Sequence, residues 1–131
     1  MLQPLTAIVL CLALVLYGAL GFNVGRARSR HGISAPATTG HPQFERVFRV
    51  HQNTLESLIV FMPALWIFSQ FVSPVWGAVL GAAWIIGRII YAIGYYRAAD
   101  QRSTGFGIAA AASLILLLGG IIGAVSGAVH G

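Results

Sequence analysis

A chain of 131 residues that is 57% hydrophobic and only 8% charged, with mean hydropathy +0.81, is not a soluble globular domain, in which about a quarter of the residues carry charge. Its net charge of +5 comes from eight arginines against three acids, with no lysine, and in a bilayer protein that balance marks loops and internal pairs rather than nucleic-acid binding. The length suits one membrane domain over residues 1–131, and the single Cys11 excludes an intrachain disulfide.

The first apolar segment, about residues 4–24, is long enough to span a hydrocarbon core. No basic residue precedes it, so it reads as a spanning helix rather than a cleavable signal. "GRARSRHGISAPATTGHPQ" follows, rich in Gly, Pro, Ser and Arg, and reads as a loop. A second helix is expected over about 44–72, with a polar start in "ERVFRVHQNTLES". "SPVW" is a tight turn, a third helix covers about 75–97, "RAADQRSTG" is a connection, and a fourth helix covers about 105–129. The fold class expected is all-α, an integral membrane four-helix bundle.

Arg26, Arg28, Arg30, Arg46 and Arg49 flank the first connection, and Arg97 and Arg102 flank the third. The middle turn has none, so the positive-inside rule places both arginine-rich loops in the cytoplasm. The fourth segment carries Gly105, Gly107, Gly119, Gly120, Gly123 and Gly127, small residues that let helix backbones approach in lipid, either within a protomer or between subunits. Trp66, Trp76 and Trp84 read as lipid-facing or interfacial. His31, His41 and His130 lack metal-ligand spacing, so no metal is expected.

At helical period Arg49, Asn53 and Glu56 share one face of the second helix, and Arg88, Tyr91 and Tyr95 share one face of the third. Arg88 lies nine residues before Arg97, roughly 13 Å along the helix, and Glu56 lies twelve residues after Phe44, roughly 18 Å along its own. Similar depths suggest a Glu56–Arg88 pair, since an unpaired charge there costs on the order of 3 kcal/mol or more. One ion pair does not need Arg49, Asn53, both tyrosines and Arg102 as well, and such a gathering at one depth marks a ligand site. Its charges suit a peptide-like anion bearing carboxylates and an ammonium group, because arginine clamps a carboxylate bidentately and a buried carboxylate accepts from ammonium.

"FERVFRVHQNTLES" followed by "GRIIYAIGYYRAADQR" resembles the MAPEG family, membrane-associated proteins in eicosanoid and glutathione metabolism. The likeness rests on the pattern E-R-x-x-R-x-x-x-N-x-x-E and then G-R-x-x-Y-x-x-G-Y, and runs from about Arg28 to Phe106. It implies a four-helix protomer assembled as a homotrimer, with glutathione held between adjacent subunits. Carried over position by position, Arg28, Arg49, Asn53, Glu56, Tyr91 and Tyr95 match glutathione-binding residues, and Arg102 matches the arginine that activates the thiol. The implied reaction joins the glutathione thiolate to a lipophilic electrophile or reduces a lipid hydroperoxide, with glutathione as cosubstrate and membrane lipid as surroundings.

Two positions depart from the family pattern. Ser57 stands where a tyrosine is frequent, and His51 where a glutamine is common, so that His51 either replaces an amide contact or faces water. The alternative activity is a non-catalytic lipid-binding or scaffold protein of the same family. A transporter needs a continuous polar path, whereas the polar residues here gather in one half of the bilayer. With no endoplasmic-reticulum retrieval signal in view, a bacterial inner membrane is the expected location.

Overall fold

Pro4, Pro42 and Pro74 each stand in the first turn of a helix, where the missing N–H would have found no partner and the fixed φ suits helical geometry. The computed structural model describes residues 2–131 and contains four long helices: α1 Pro4–His31, α2 Pro42–Phe71, α3 Pro74–Arg97 and α4 Ser103–His130. A single 3-10 turn, Ala99–Arg102, joins the last two. His41 Nδ1 accepts from the Gln43 backbone N–H at 3.1 Å to cap α2, and Ser73 Oγ accepts from that of Trp76 at 3.1 Å to cap α3.

All four helices are long and apolar enough to cross a membrane, and among the described residues there is no strand. The protein is an all-α, multi-pass integral membrane bundle. Val15, Phe22, Ile59 and Ile122 are each about two-thirds exposed, an outer surface that only lipid or another apolar surface could cover.

The first helix continues seven residues beyond its expected end near Val24. Gly25 is helical, since an interior glycine weakens a helix by only about 1 kcal/mol. Arg28, Arg30 and His31 then occupy the last turn, where cationic side chains suit the carbonyl end, and Gly32 at φ 66° terminates it in the left-handed conformation. The expected loop is therefore half its predicted length.

Packing of α3 on α4 is backbone to backbone. A Cβ on Gly87 would come 2.8 Å from the Ala109 backbone nitrogen, and one on Gly105 would run into the Tyr91 backbone. Several small residues of α4 thus serve contacts within the protomer, while Gly107 faces open space. The mid-membrane core gathers Val9, Ala13, Phe61, Leu65, Ala112 and Leu116 around Trp84.

That position of Trp84 corrects the sequence reading. The ring is fully buried, stacks on Phe61 at 4.1 Å, and donates from Nε1 to Ser57 Oγ at 3.0 Å. An indole N–H seeks a partner when buried, and Ser57 on the facing helix supplies it. Trp66 and Trp76, at 53% and 64% exposure, lie on the outer surface as expected.

Candidate functional site

The polar start of α2 faces the C-terminal half of α3. Between them lies a cavity of about 340 Å³ into which Arg49, Asn53 and Glu56 project from α2 and Tyr91 and Tyr95 from α3. Arg102 closes it from the 3-10 turn. Six residues singled out from the sequence thus meet in one place.

Glycine brings Arg102 within reach. A side chain on Gly94 would strike the Gln101 carbonyl, so the turn folds back directly onto α3. The Arg102 guanidinium then sits 5.6 Å from the Tyr95 ring centroid while its Nη1 donates to the Ala99 carbonyl. Tyr95 meets Tyr91 edge to face, with centroids 5.6 Å apart. Gln52 also lines the cavity and was missed in the sequence. Its position three residues after Arg49, on the same helical face, was the available signal.

Behind the cavity lies Arg88, only 1% exposed. Its partner is not Glu56. Nη2 donates to Asn53 Oδ1 at 2.9 Å and to Thr54 Oγ1 at 2.8 Å, and the guanidinium lies 4.1 Å from the Tyr91 ring centroid. Similar depth suggested the ion pair, but angle decides against it. At about 100° per residue Glu56 points some 200° around α2 from Thr54, away from the buried seam with α3. Two neutral acceptors and an aromatic face therefore hold the buried cation. Thr54 Oγ1 in turn donates to the Val50 carbonyl at 2.7 Å, which fixes its lone pairs toward Arg88. Asn53 presents its oxygen to Arg88 and so keeps its amide N–H groups as donors for an occupant of the cavity.

A second, mainly apolar groove of about 380 Å³ runs between α2 and α4, with walls from Val60, Phe106, Leu114 and Leu117. Asn53 and Glu56 line both spaces, so a polar chamber and an apolar one share a wall. Ser57, engaged by Trp84, sits in the groove wall with a small side chain.

Arg28 is not brought to this cavity in the protomer. It lies near the end of α1, donating to the Ala37 carbonyl at 2.8 Å with its guanidinium 5.0 Å from the Phe44 ring centroid. His51 does not line this cavity, and its side chain is half-buried. Its ring stacks on Tyr17 at 4.3 Å and presses against Gly21, tying α2 to α1.

The sequence that builds these chambers has counterparts. The profile of the MAPEG family matches residues 6–122. The chain belongs to the MAPEG family. It is 49% identical over 116 residues to an uncharacterized protein of Synechocystis, covering 88% of this chain and 85% of that one. Human microsomal glutathione S-transferase 2 is 40% identical over 100 residues, covering 76% of this chain and 68% of the relative. Leukotriene C4 synthase of Cavia porcellus is 36% identical over 114 residues, covering 87% and 75%. As a MAPEG protein the chain carries its charged cavity on the helices that the family pattern occupies.

Proposed function

We propose that this MAPEG protein is a membrane-bound glutathione transferase acting on lipophilic electrophiles, with accompanying peroxidase activity toward lipid hydroperoxides. The observation that carries the reading is the shared wall. A polar cavity with two guanidiniums, one carboxylate, two amides and two phenols adjoins an apolar groove, so a charged tripeptide and a greasy acceptor would meet at Asn53 and Glu56. The names of the human and Cavia relatives support the same chemistry.

In this reading Arg49 takes a glutathione carboxylate, Glu56 accepts from its ammonium group, and Asn53 donates to a peptide carbonyl or carboxylate. Tyr91 and Tyr95 border the cysteinyl part. Arg102 stands beside the sulfur. A thiol with an ordinary pKa near 8.5 is mostly protonated at neutral pH, and an adjacent guanidinium favours the thiolate. The proton leaves to solvent, the sulfur lone pair forms the new C–S bond, and the bond to the leaving group breaks. With a hydroperoxide, attack cleaves the O–O bond to give an alcohol and an oxidised sulfur that a second glutathione converts to the disulfide.

Arg28 lies outside its own protomer's cavity, which supports a homotrimer in which it serves the cavity of a neighbouring subunit. We place the arginine-rich end in the cytoplasm and the protein in a bacterial inner membrane; the first follows from the charge asymmetry, and the Synechocystis relative supports the second.

Ultraviolet difference absorbance of the detergent-solubilised protein titrated with glutathione tests the reading. A saturable thiolate band is expected, lost in Arg102→Ala. An intact, glutathione-binding protein with no thiolate band would point instead to the non-catalytic lipid-binding alternative. Full activity in Arg102→Ala would remove that residue from its role.

A further inference from the structure

A larger cavity than the one just described lies elsewhere in the protomer. A space of about 760 Å³ opens between the last turns of α1, the first turns of α2 and the end of α3, and it shares no residue with the glutathione cavity or the apolar groove. Arg26 and Arg30, one turn apart, form its basic wall. Asn23, Gln43 and Tyr96 form a polar floor. The floor is internally tied, with Asn23 Nδ2 donating to the Tyr96 hydroxyl at 3.2 Å and Gln43 Nε2 to the Tyr96 carbonyl at 3.3 Å.

No acid balances this wall. The chain has three acidic residues, and none of them lines the space. Glu45 accepts from the Gly40 backbone N–H, Glu56 lines the other cavities, and Asp100 lies in the 3-10 turn after α3. At the rim stands Phe22, 68% exposed, and two turns further into the membrane stands Val15, 67% exposed. An uncompensated basic pocket at the membrane surface therefore continues into an apolar track along α1.

We propose that this cavity holds the phosphate headgroup of an anionic phospholipid. The phosphodiester sits between Arg26 and Arg30, the polar part of the headgroup reaches Asn23 and Gln43, and an acyl chain runs down past Phe22. Two arginines as a fork suit phosphate oxygens, and basic pockets between transmembrane helices recognise anionic headgroups by charge that the bilayer itself supplies. The site does not depend on the transferase reading, because its residues are separate from those facing glutathione.

The test uses the full-length protein in neutral detergent micelles. Dioctanoylphosphatidylglycerol, dioctanoylphosphatidylcholine and inorganic phosphate are titrated in turn, with the thermal midpoint and lipid retained in native mass spectrometry as readouts. The anionic lipid is expected to raise the midpoint saturably, while the zwitterionic lipid and phosphate leave it unchanged at the same concentrations. In the Arg26→Gln/Arg30→Gln double variant the apparent affinity should fall roughly thirtyfold, and in Arg97→Gln it should hold.

Equal effects of both lipids would overturn the site in favour of general amphiphile solvation. An equal effect of phosphate would replace the lipid by a soluble anion. Equal loss in Arg97→Gln would mean diffuse attraction, and a change of oligomeric state in the double variant would assign the face to a subunit contact. Should the double variant fail to fold, the comparison of the three ligands on wild-type protein still decides the matter, and Arg30→Gln alone repeats the mutational arm.

Discussion

Arg88 is the residue on which the polar cavity's shape depends without lining it. Replacing it by Met would leave Asn53 Oδ1 and Thr54 Oγ1 without their donor in a buried seam, at about 1–3 kcal/mol for each unsatisfied group. We expect a lower thermal midpoint and weaker glutathione binding together, read by unfolding in detergent and by calorimetric titration. Arg88→Lys should recover only part, because a compact ammonium group cannot reproduce the planar guanidinium's contact with the Tyr91 ring. Asn53→Asp separates binding from folding. The new carboxylate still satisfies Arg88, so the midpoint should hold, but the amide donors facing the cavity are gone. Glutathione affinity is then expected to fall at least about tenfold. Unchanged affinity would show that the amide touches nothing in the ligand. Helical spacing made most of this face legible in the sequence, because Arg49, Asn53 and Glu56 had to project together. It could not pair Arg88 correctly, since depth along two antiparallel helices says nothing of the angle at which each side chain leaves its helix. Trp84 was misread for a similar reason. Its signal was Ser57 on another helix, a contact that sequence spacing does not encode.

Between elements, three close approaches set the geometry: α3 against α4 at Gly87 and Gly105, and the 3-10 turn against α3 at Gly94. Gly105→Ala would force two backbones apart, and neither can retreat as a flexible side chain could. A loss of stability of about 1–3 kcal/mol is expected, with Gly107→Ala as a control, because open space surrounds its Cβ and no loss should follow. If the two variants melt alike, the α3–α4 contact at Gly105 has room for a methyl group. Gly94→Ala has a different consequence. The added methyl would push the Gln101 carbonyl away, carrying Arg102 off the Tyr95 ring. The thiolate band should shrink several-fold while glutathione still binds through α2, since the guanidinium that favours the anion would stand farther from the sulfur. Helix starts were readable because proline and the Ser73 cap declare them locally. The end of α1 was not, because Gly25 reads as a break in a sequence yet is carried by the helix, and the actual stop depends on the φ of Gly32.

For the whole molecule, Arg28 is the informative residue. In one protomer it is held by Ala37 and Phe44 at the end of α1, apart from the cavity that the family pattern assigns it to. A single chain therefore leaves the proposed glutathione site open on one side, and a neighbouring copy is the simplest closure. Closed rings of identical subunits place the same two faces together at every contact, so in the proposed homotrimer each cavity would receive one Arg28 from one neighbour. Complementation between variants tests this without a structure of the assembly. Arg28→Ala and Arg102→Ala subunits are each expected to be poor transferases alone. Co-expressed in equal amounts and assayed as the whole population of trimers, they should regain about a quarter of wild-type activity, because a cavity is complete when a subunit retaining Arg102 meets a neighbour retaining Arg28, each at about one chance in two. If Arg28 served its own protomer, no cavity in the mixture would hold both arginines, and activity would stay at the level of the separate variants. The recovered fraction thus measures assembly and active-site sharing in one number.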